Sequence, residues 1–497
     1  MSDATNLKPP VVPKKYLFSF CIVTVLFALW GFANNFTDPL VSVFKDVFVI
    51  NNAQSSWVQM AFYGGYATMA IPAALFIRKY SYKAGIIAGL ALFATGTMLS
   101  IPAAASANFN LFIGAIYILT FGLAFLETTA NPYILSMGDE STATQRLNLA
   151  QAFNPVGSLT GMFIVGSVVL SNIQVVDFKN DIGGYKEELS IVKTEKVELD
   201  VLPFLKAEAR PRKNDAGAKA YVIEKTPEKV DVGVALKDYK NGDIASYQGQ
   251  AHVDMQKHDL KLVSKTYMTL GFVVIAVFLI FLVKKLPNTS AADDNDHEIH
   301  PWETAKKLVK NPRYIWGVVA QMFYVGAQIM CWTFIIQYAE NELGMDKATA
   351  QNHNIMAMFI FLTSRFVCTA FLKYISPGKL LTILAVGGVT FTLGAIHLEG
   401  MTGLYSLVLI SACMSLMFPT IYGMALEGIG QDAKLGSAGL ILAIVGAVWL
   451  TGFQGKILDM DGFMGTSATR GSFYLTVGCF IIIAIYGFLC RNPRKRA

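Results

Sequence analysis

Leu17-Phe18-Ser19-Phe20-Cys21-Ile22-Val23-Thr24-Val25-Leu26-Phe27-Ala28-Leu29-Trp30 carries no charged residue, and the run continues to about Asp38. A helix of ~20 such residues crosses the hydrocarbon core of a bilayer with every backbone group bonded inside the segment. Tyr267 to Val283 and Leu475 to Cys490 read the same way. Across the chain, apolar runs predict twelve helices near residues 16–40, 54–78, 84–104, 109–137, 146–171, 266–284, 313–340, 349–374, 378–398, 403–427, 435–458 and 471–490. The first lacks the short apolar core and small-residue cleavage site of a signal peptide, so it reads as a retained span. The expected fold is an all-α membrane protein of twelve transmembrane helices in two six-helix halves.

Composition agrees. Charged residues are 15% of the 497, hydrophobic ones 54%, and mean hydropathy is +0.45. Disordered, collagenous and compact secreted classes are thereby excluded. The charge is also uneven, because residues 173–264 hold 31 of the 76 Lys, Arg, Asp and Glu. The chain therefore divides into 1–172 (helices one to five), an insertion 173–264, 265–285 (helix six), a linker 286–312, and 313–497 (helices seven to twelve). Within the insertion, Tyr221-Val222-Ile223 and Val230 to Leu236 alternate with turn signals such as Asn241-Gly242-Asp243. A small strand-rich module and a partly disordered loop both fit. The linker carries the acidic patch Asp293-Asp294-Asn295-Asp296, then Pro301 opening a short amphipathic helix through Lys310.

Loop charge orients the chain. With the N-terminus in the cytoplasm, short loops and tails on that side carry 20 Lys and Arg, counting Arg78, Lys79, Lys83 and Arg146, and the opposite loops carry only Lys45, Lys347, Lys456 and Arg470. That bias places both termini inside and the insertion outside, long loops being exempt from the rule. The six cysteines all lie in apolar runs, which predicts buried thiols and no metal cluster. A net charge of +6 is too small and too terminal to suggest nucleic acid.

An ionised group in hydrocarbon costs at least ~2.5–3.5 kcal/mol, so acids within spans mark ion or proton paths. Only Asp38 and Glu127 sit well inside predicted spans. Trp30, Asn34 and Asp38 share one helical face, and Glu127 shares another with Asn131, just before Pro132. Asn148, Gln151 and Asn154 form a polar stripe in the fifth span. Gln321, Tyr324, Gln328 and Cys331 or Trp332 form one in the seventh. Amides gluing helices together would explain each stripe singly; one shared cavity explains all of them. Amides and carboxylates satisfy sugar hydroxyls, and an indole or phenol ring supports the C–H face of a pyranose. Arg365, the single cation within a span, is expected to anchor the cytoplasmic end of the eighth by snorkelling. No nucleotide-binding loop or hydrolytic arrangement is present, so no enzyme activity is expected.

At these residues the chain resembles the L-fucose:proton symporter branch of the major facilitator superfamily. The resemblance rests on Ala33-Asn34-Asn35-Phe36-Thr37-Asp38, Leu126-Glu127-Thr128-Thr129-Ala130-Asn131-Pro132, Arg146-Leu147-Asn148-Leu149-Ala150-Gln151-Ala152-Phe153-Asn154, Tyr324-Val325-Gly326-Ala327-Gln328 with Cys331-Trp332, and Phe418-Pro419-Thr420-Ile421. It implies the major facilitator fold, with Asp38 and Glu127 as the proton-linked pair. It also implies a sugar cavity lined by Gln151 and Asn154, joined by Asn34, Asn131, Tyr324, Gln328 and Trp332 from the polar stripes and by Asn35 from the first of these motifs. The chain departs from the branch in its insertion, and in the eleventh span, where Gly446-Ala447-Val448-Trp449-Leu450-Thr451 lacks a proline and adds a tryptophan that could alter substrate choice.

The function expected is proton-coupled uptake of a hexose, L-fucose first, by alternating access across a bacterial inner membrane. No resident cofactor is expected; the co-transported ion is a proton, with sodium as the alternative. The partners expected are a small-molecule sugar and the lipid bilayer, with the protein a monomer. The rival readings are a sodium- or proton-coupled glucose, galactose or N-acetylglucosamine carrier, and a membrane sugar sensor that binds without transport.

Overall fold

The computed structural model describes residues 9–179, 209–211, 221–223, 232–242, 250–287, 301–345 and 347–492. Among them, twelve helices are long and apolar enough to cross a membrane: Lys14–Thr37, Trp57–Lys79, Tyr82–Ala105, Phe109–Ser136, Glu140–Asn172, His252–Val283, Pro312–Leu343, Thr349–Phe371, Pro377–His397, Gly400–Ala425, Gly430–Leu458 and Ala468–Leu489. They are called the first to twelfth spans below. The third packs on the fourth and sixth, and the first on the fifth; the ninth packs on the tenth and twelfth, and the seventh on the eleventh and twelfth. Two bundles of six result, as the sequence predicts.

Two helices exceed the bilayer. The first runs unbroken from Leu17 to Phe48, 32 residues, and the sixth from His252 to Val283, also 32. At 1.5 Å per residue each is about 48 Å long against a core of ~30 Å. The sixth helix therefore starts at His252 rather than near 266, and the first ends near 48 rather than near 40. Val49 ends the first in a left-handed conformation, φ 51°, and Asn51 starts the second with a reciprocal cap on Gln54.

The insertion stands on these overhangs. Asp259 is fully buried and accepts the backbone N–H groups of Gln174 and Val175, each at 2.9 Å. Lys179 pairs with Asp46 at 2.7 Å, while Lys240 and Gln256 donate to the carbonyls of Phe48 and Val47, both at 2.9 Å. Tyr221–Ile223 forms a strand, antiparallel to Ala209–Pro211. Val232–Asn241 is a helix, so the strand expected over Val230 to Leu236 does not form from residue 232 onward. In the linker, Pro301–Lys310 is the expected short helix; the acidic patch at 293–296 lies outside the described residues.

Several spans are broken. The fifth pauses after Ala143–Gln151 and restarts at Asn154–Ile164, where Pro155 offers no N–H. The tenth pauses between Gly400–Met414 and Met417–Ala425. Breaks at mid-membrane depth free backbone carbonyls, which are tolerated only when protein or water satisfies them. The first and fifth spans cross so closely that a Cβ on Gly157 would lie 1.8 Å from the carbonyl oxygen of Ala28, and one on Gly31 would lie 2.1 Å from that of Asn154. Small residues permit this approach, a common means of membrane helix packing.

Candidate functional site

The two bundles meet at a seam sealed at the end carrying Arg78, Lys79, Lys83, Lys373 and Lys379, here termed the basic end. Asn148 donates to Thr420 Oγ1 at 3.1 Å, Gln145 to the Thr369 carbonyl at 3.2 Å, and the Gly428 N–H to Glu140 at 2.7 Å. Arg78 donates to Thr304 at 2.6 Å, and Thr304 in turn to Asp432 at 3.1 Å, so the linker helix stands between charges of the two bundles. Arg146, counted among the loop charges, is fully buried: it donates to Ile134 and Leu135 at 2.7 and 2.6 Å and to Val11 at 3.0 Å, fastening the end of the fourth span. Toward the opposite end, Gln59, Met60 and Tyr63 of the second span face Ile329, Thr333 and Phe334 of the seventh and Val448, Thr451 and Gly452 of the eleventh across a 380 Å³ cavity. That volume is within the ~300–1,000 Å³ range of small-molecule sites.

Glu127 lies deep in the seam. Its side chain is 4% exposed, and among the described residues neither carboxyl oxygen has a hydrogen-bond partner. Tyr66 of its own bundle and Tyr422 of the other lie within electrostatic reach. With no cation paired to it among the described residues, the neutral acid is much the cheaper species at so buried a place. Asp38 is in the first helix, but its side chain lies outside the described residues.

The other predicted residues divide into those already paired and those with free capacity. Gln151 donates to Asn131 at 2.7 Å, and Asn131 donates to the Glu127 carbonyl at 2.9 Å. These two form one buried unit, which holds the fifth span against the Glu127 turn. Asn154 donates to the Phe27 carbonyl at 3.3 Å, and Asn35 to Gly31 within its own helix at 3.3 Å. Asn34 is half-buried, and its buried side-chain oxygen has no partner among the described residues. Tyr324 is fully buried with its hydroxyl on the Met414 carbonyl at 3.2 Å, which makes it a packing residue of the second bundle. Gln328 is half-buried. Trp332 is half-buried, donates to Ser411 at 3.2 Å and meets the Phe361 ring edge-on at 4.9 Å.

One expectation is corrected. Arg365 does not snorkel: it is 3% exposed, donates to Ser415 and, at 3.0 Å, to the Gln151 carbonyl, and lies over the Phe361 ring at 4.4 Å. The helix breaks at Gln151 and Ser415 supply the carbonyls that make burial of this cation affordable. Trp449, the added tryptophan of the eleventh span, is 70% exposed and is not among the residues that line the cavity beside Val448 and Thr451. Sequence reasoning also passed over Tyr66, which accepts from the Trp30 indole and is 1% exposed. The spacing Gln59, Tyr63, Tyr66 along one face of the second span was its available signal.

The sequence matches the family described as Major Facilitator Superfamily over residues 19–176 and 266–453, the unmatched stretch between them being nearly all of the insertion. It is 45% identical over 478 residues to the L-fucose-proton symporter of Haemophilus influenzae, covering 96% of this chain and 97% of that one. It is 30% identical to the L-fucose-proton symporter of Escherichia coli, covering 95% and 93%. The fold superposes on the crystal structure of a major facilitator superfamily transporter, FucP, in the outward conformation, with a TM-score of 0.75 and 28% identity over 96% of this chain and 100% of that one.

Proposed function

This chain belongs to the major facilitator superfamily, and from that premise we propose that it takes up L-fucose with protons by alternating access between its two bundles. It is a secondary active transporter and not an enzyme. The observation that supports the proton coupling is Glu127: a desolvated carboxyl whose two oxygens are unpaired among the described residues, set where one bundle meets the other. Held neutral, it lets the bundles close over a loaded site; ionised inside that closed site, it would cost several kcal/mol. Charge state and conformation are thereby linked.

The sugar enters from the end opposite the basic one, through the cavity between the second, seventh and eleventh spans. Asn34 offers hydrogen-bonding capacity and Trp332 an apolar ring face. The Asn131–Gln151 unit shapes the floor, and Asp38 relays protons on the entry side. Rocking breaks the basic-end seal, and the sugar and the Glu127 proton leave toward the cytoplasm. One proton crossing 100 mV provides roughly 2.3 kcal/mol, about 50-fold accumulation. In this reading the basic end and both termini face the cytoplasm of a bacterium, the protein works as a monomer in the inner membrane, and no resident cofactor takes part.

Proteoliposome uptake of labelled L-fucose, galactose, glucose and N-acetylglucosamine under an imposed pH gradient tests this. Fucose accumulation that collapses with the gradient and ignores replacement of Na⁺ is the expected result. Preference for another hexose, or a requirement for Na⁺, overturns the respective part, and a lack of counterflow with every sugar overturns transport itself.

A further inference from the structure

Pro301–Lys310, the linker helix, has two unlike faces. Thr304 and Leu308, 3% and 5% exposed, form the inner one. Thr304 accepts from Arg78 at 2.6 Å and donates to Asp432 at 3.1 Å, and a Cβ on Gly436 of the eleventh span would lie 3.5 Å from Leu308. The outer face consists of Trp302, Glu303, Lys306, Lys307, Val309 and Lys310, all exposed. It sets three lysines beside one acid, and among the described residues none of the three pairs with a carboxylate. Trp302 and Val309 are 70% and 68% exposed. With Lys306 they follow an i, i+4, i+7 spacing, one stripe of the helix, and the Lys306 ammonium lies 5.2 Å over the indole.

Connectivity fixes the depth of this helix. Asn311 alone separates it from the seventh span, and the Asn311 side chain caps that span on the N–H groups of Arg313 and Tyr314 at 3.1 and 3.4 Å. Ten residues reach about 15 Å. Along that length the inner face meets Arg78 in the last turn of the second span and Asp432 and Gly436 in the opening turns of the eleventh. All of these are span ends, so the helix lies along the plane where the spans leave the hydrocarbon. An indole and a valine interleaved with lysines is the pattern of a helix seated among lipid headgroups. Tyr80 repeats it at the end of the second span, 56% exposed with the Lys79 ammonium 5.5 Å over its ring.

We propose that the outer face of the linker helix docks on anionic phospholipid, its lysines on the headgroups and Trp302 and Val309 at the acyl boundary, and that this docking favours the sealed basic end. The coupling follows from the two faces. Thr304 bridges Arg78 and Asp432 only while the helix is held in place, and a lipid surface that already orders the helix lowers the entropy lost in making the bridge. By linkage, separation of the bundles weakens lipid binding by the same factor. Zwitterionic lipid carries a phosphate but no net charge, so three lysines discriminate against it. Neither the sugar nor the coupling ion enters this device.

The test uses the full chain in nanodiscs of phosphatidylcholine, with and without about a third of phosphatidylglycerol. Brominated acyl chains quench a nearby indole, and the quenching of Trp302 is the difference between wild type and Trp302→Phe. That difference is expected to be several-fold larger when phosphatidylglycerol carries the bromine than when phosphatidylcholine does at equal mole fraction. Each lysine contributes about fivefold to the binding, so Lys306→Gln, Lys307→Gln and Lys310→Gln together should abolish the preference. Maleimide labelling of Thr144→Cys, at the sealed seam, should slow about fivefold or more when phosphatidylglycerol is added. The slowing should vanish in the triple glutamine background and in about 0.5 M NaCl, and persist with arginine at the three positions. Absence of Trp302 quenching by either lipid overturns the docking and leaves a protein from the aqueous side as the occupant. Equal quenching by both lipids, or a preference that survives the triple glutamine change, overturns the anionic assignment. Selective quenching with an unchanged labelling rate overturns the effect on the seal.

Discussion

Arg365 and Gln151 belong to opposite bundles, and a guanidinium N–H of the first donates to the backbone carbonyl of the second at 3.0 Å. The same guanidinium holds the Ser415 carbonyl of its own bundle. One buried cation thus ties together two helix breaks, and it does so only while the basic end is closed. Arg365→Lys replaces a planar fork with a single ammonium. One freed carbonyl then lacks its partner, at about 1–3 kcal/mol. The closed form should lose population by about 5- to 150-fold. Maleimide labelling of Thr144→Cys, at the sealed seam, should speed up accordingly in the Arg365→Lys background; an unchanged rate removes the clamp.

Glu127→Gln keeps the shape of the side chain and removes the proton. Gradient-driven accumulation should vanish while sugar binding and counterflow persist, because the neutral amide imitates the loaded carrier. Uptake that still rises above equilibrium in Glu127→Gln vesicles would mean that the coupling group lies elsewhere.

The twelve spans were legible because hydrocarbon imposes both length and composition, and Glu127 stood out because an acid there is costly. Arg365 was misplaced for a physical reason. A cation six residues before Phe371 has water within reach of its long stem, and nothing local reveals the carbonyls freed at Gln151 and Ser415, which are remote in sequence. Tyr422 lay inside an apolar run for which burial alone was a sufficient account. The overhang of the first helix was hidden as well, since its partners Lys179, Lys240 and Gln256 are brought to it by the insertion. Asn131 and Tyr324 were read from their polar stripes as sugar-cavity residues, while in the structure their bonds go to Gln151 and Glu127 and to Met414, partners that lie too far off in sequence or too deep in a backbone for a stripe to reveal.

Asp259 anchors the start of the insertion through two backbone N–H groups. Asp259→Ala leaves both donors buried and unpaired, so about 2–4 kcal/mol of stability should be lost. Thermal unfolding in detergent should fall by several degrees, and protease cleavage within 180–250 should accelerate. Counterflow by intact protein should remain, because Asp259 bonds the insertion and lies away from the seam. A variant that melts like the wild type would show that these hydrogen bonds do not hold the insertion in place.

Gly157 and Gly31 let the first and fifth spans touch backbone to backbone, bringing Asn34 and Asn154 to the same side of the seam. A methyl group at 157 would have to occupy the position of the Ala28 carbonyl, 1.8 Å from its oxygen, and neither helix backbone can yield without moving the residues it carries. Gly157→Ala should therefore destabilise by about 3 kcal/mol or more. The contrasting site is Gly166, in the same span, where an added Cβ meets nothing within 4 Å. Gly166→Ala should be extracted in wild-type yield and elute as a single species, while Gly157→Ala should be recovered poorly or aggregated. Equal recovery of the two variants would show that this crossing tolerates a spacing wider than the one the glycines set.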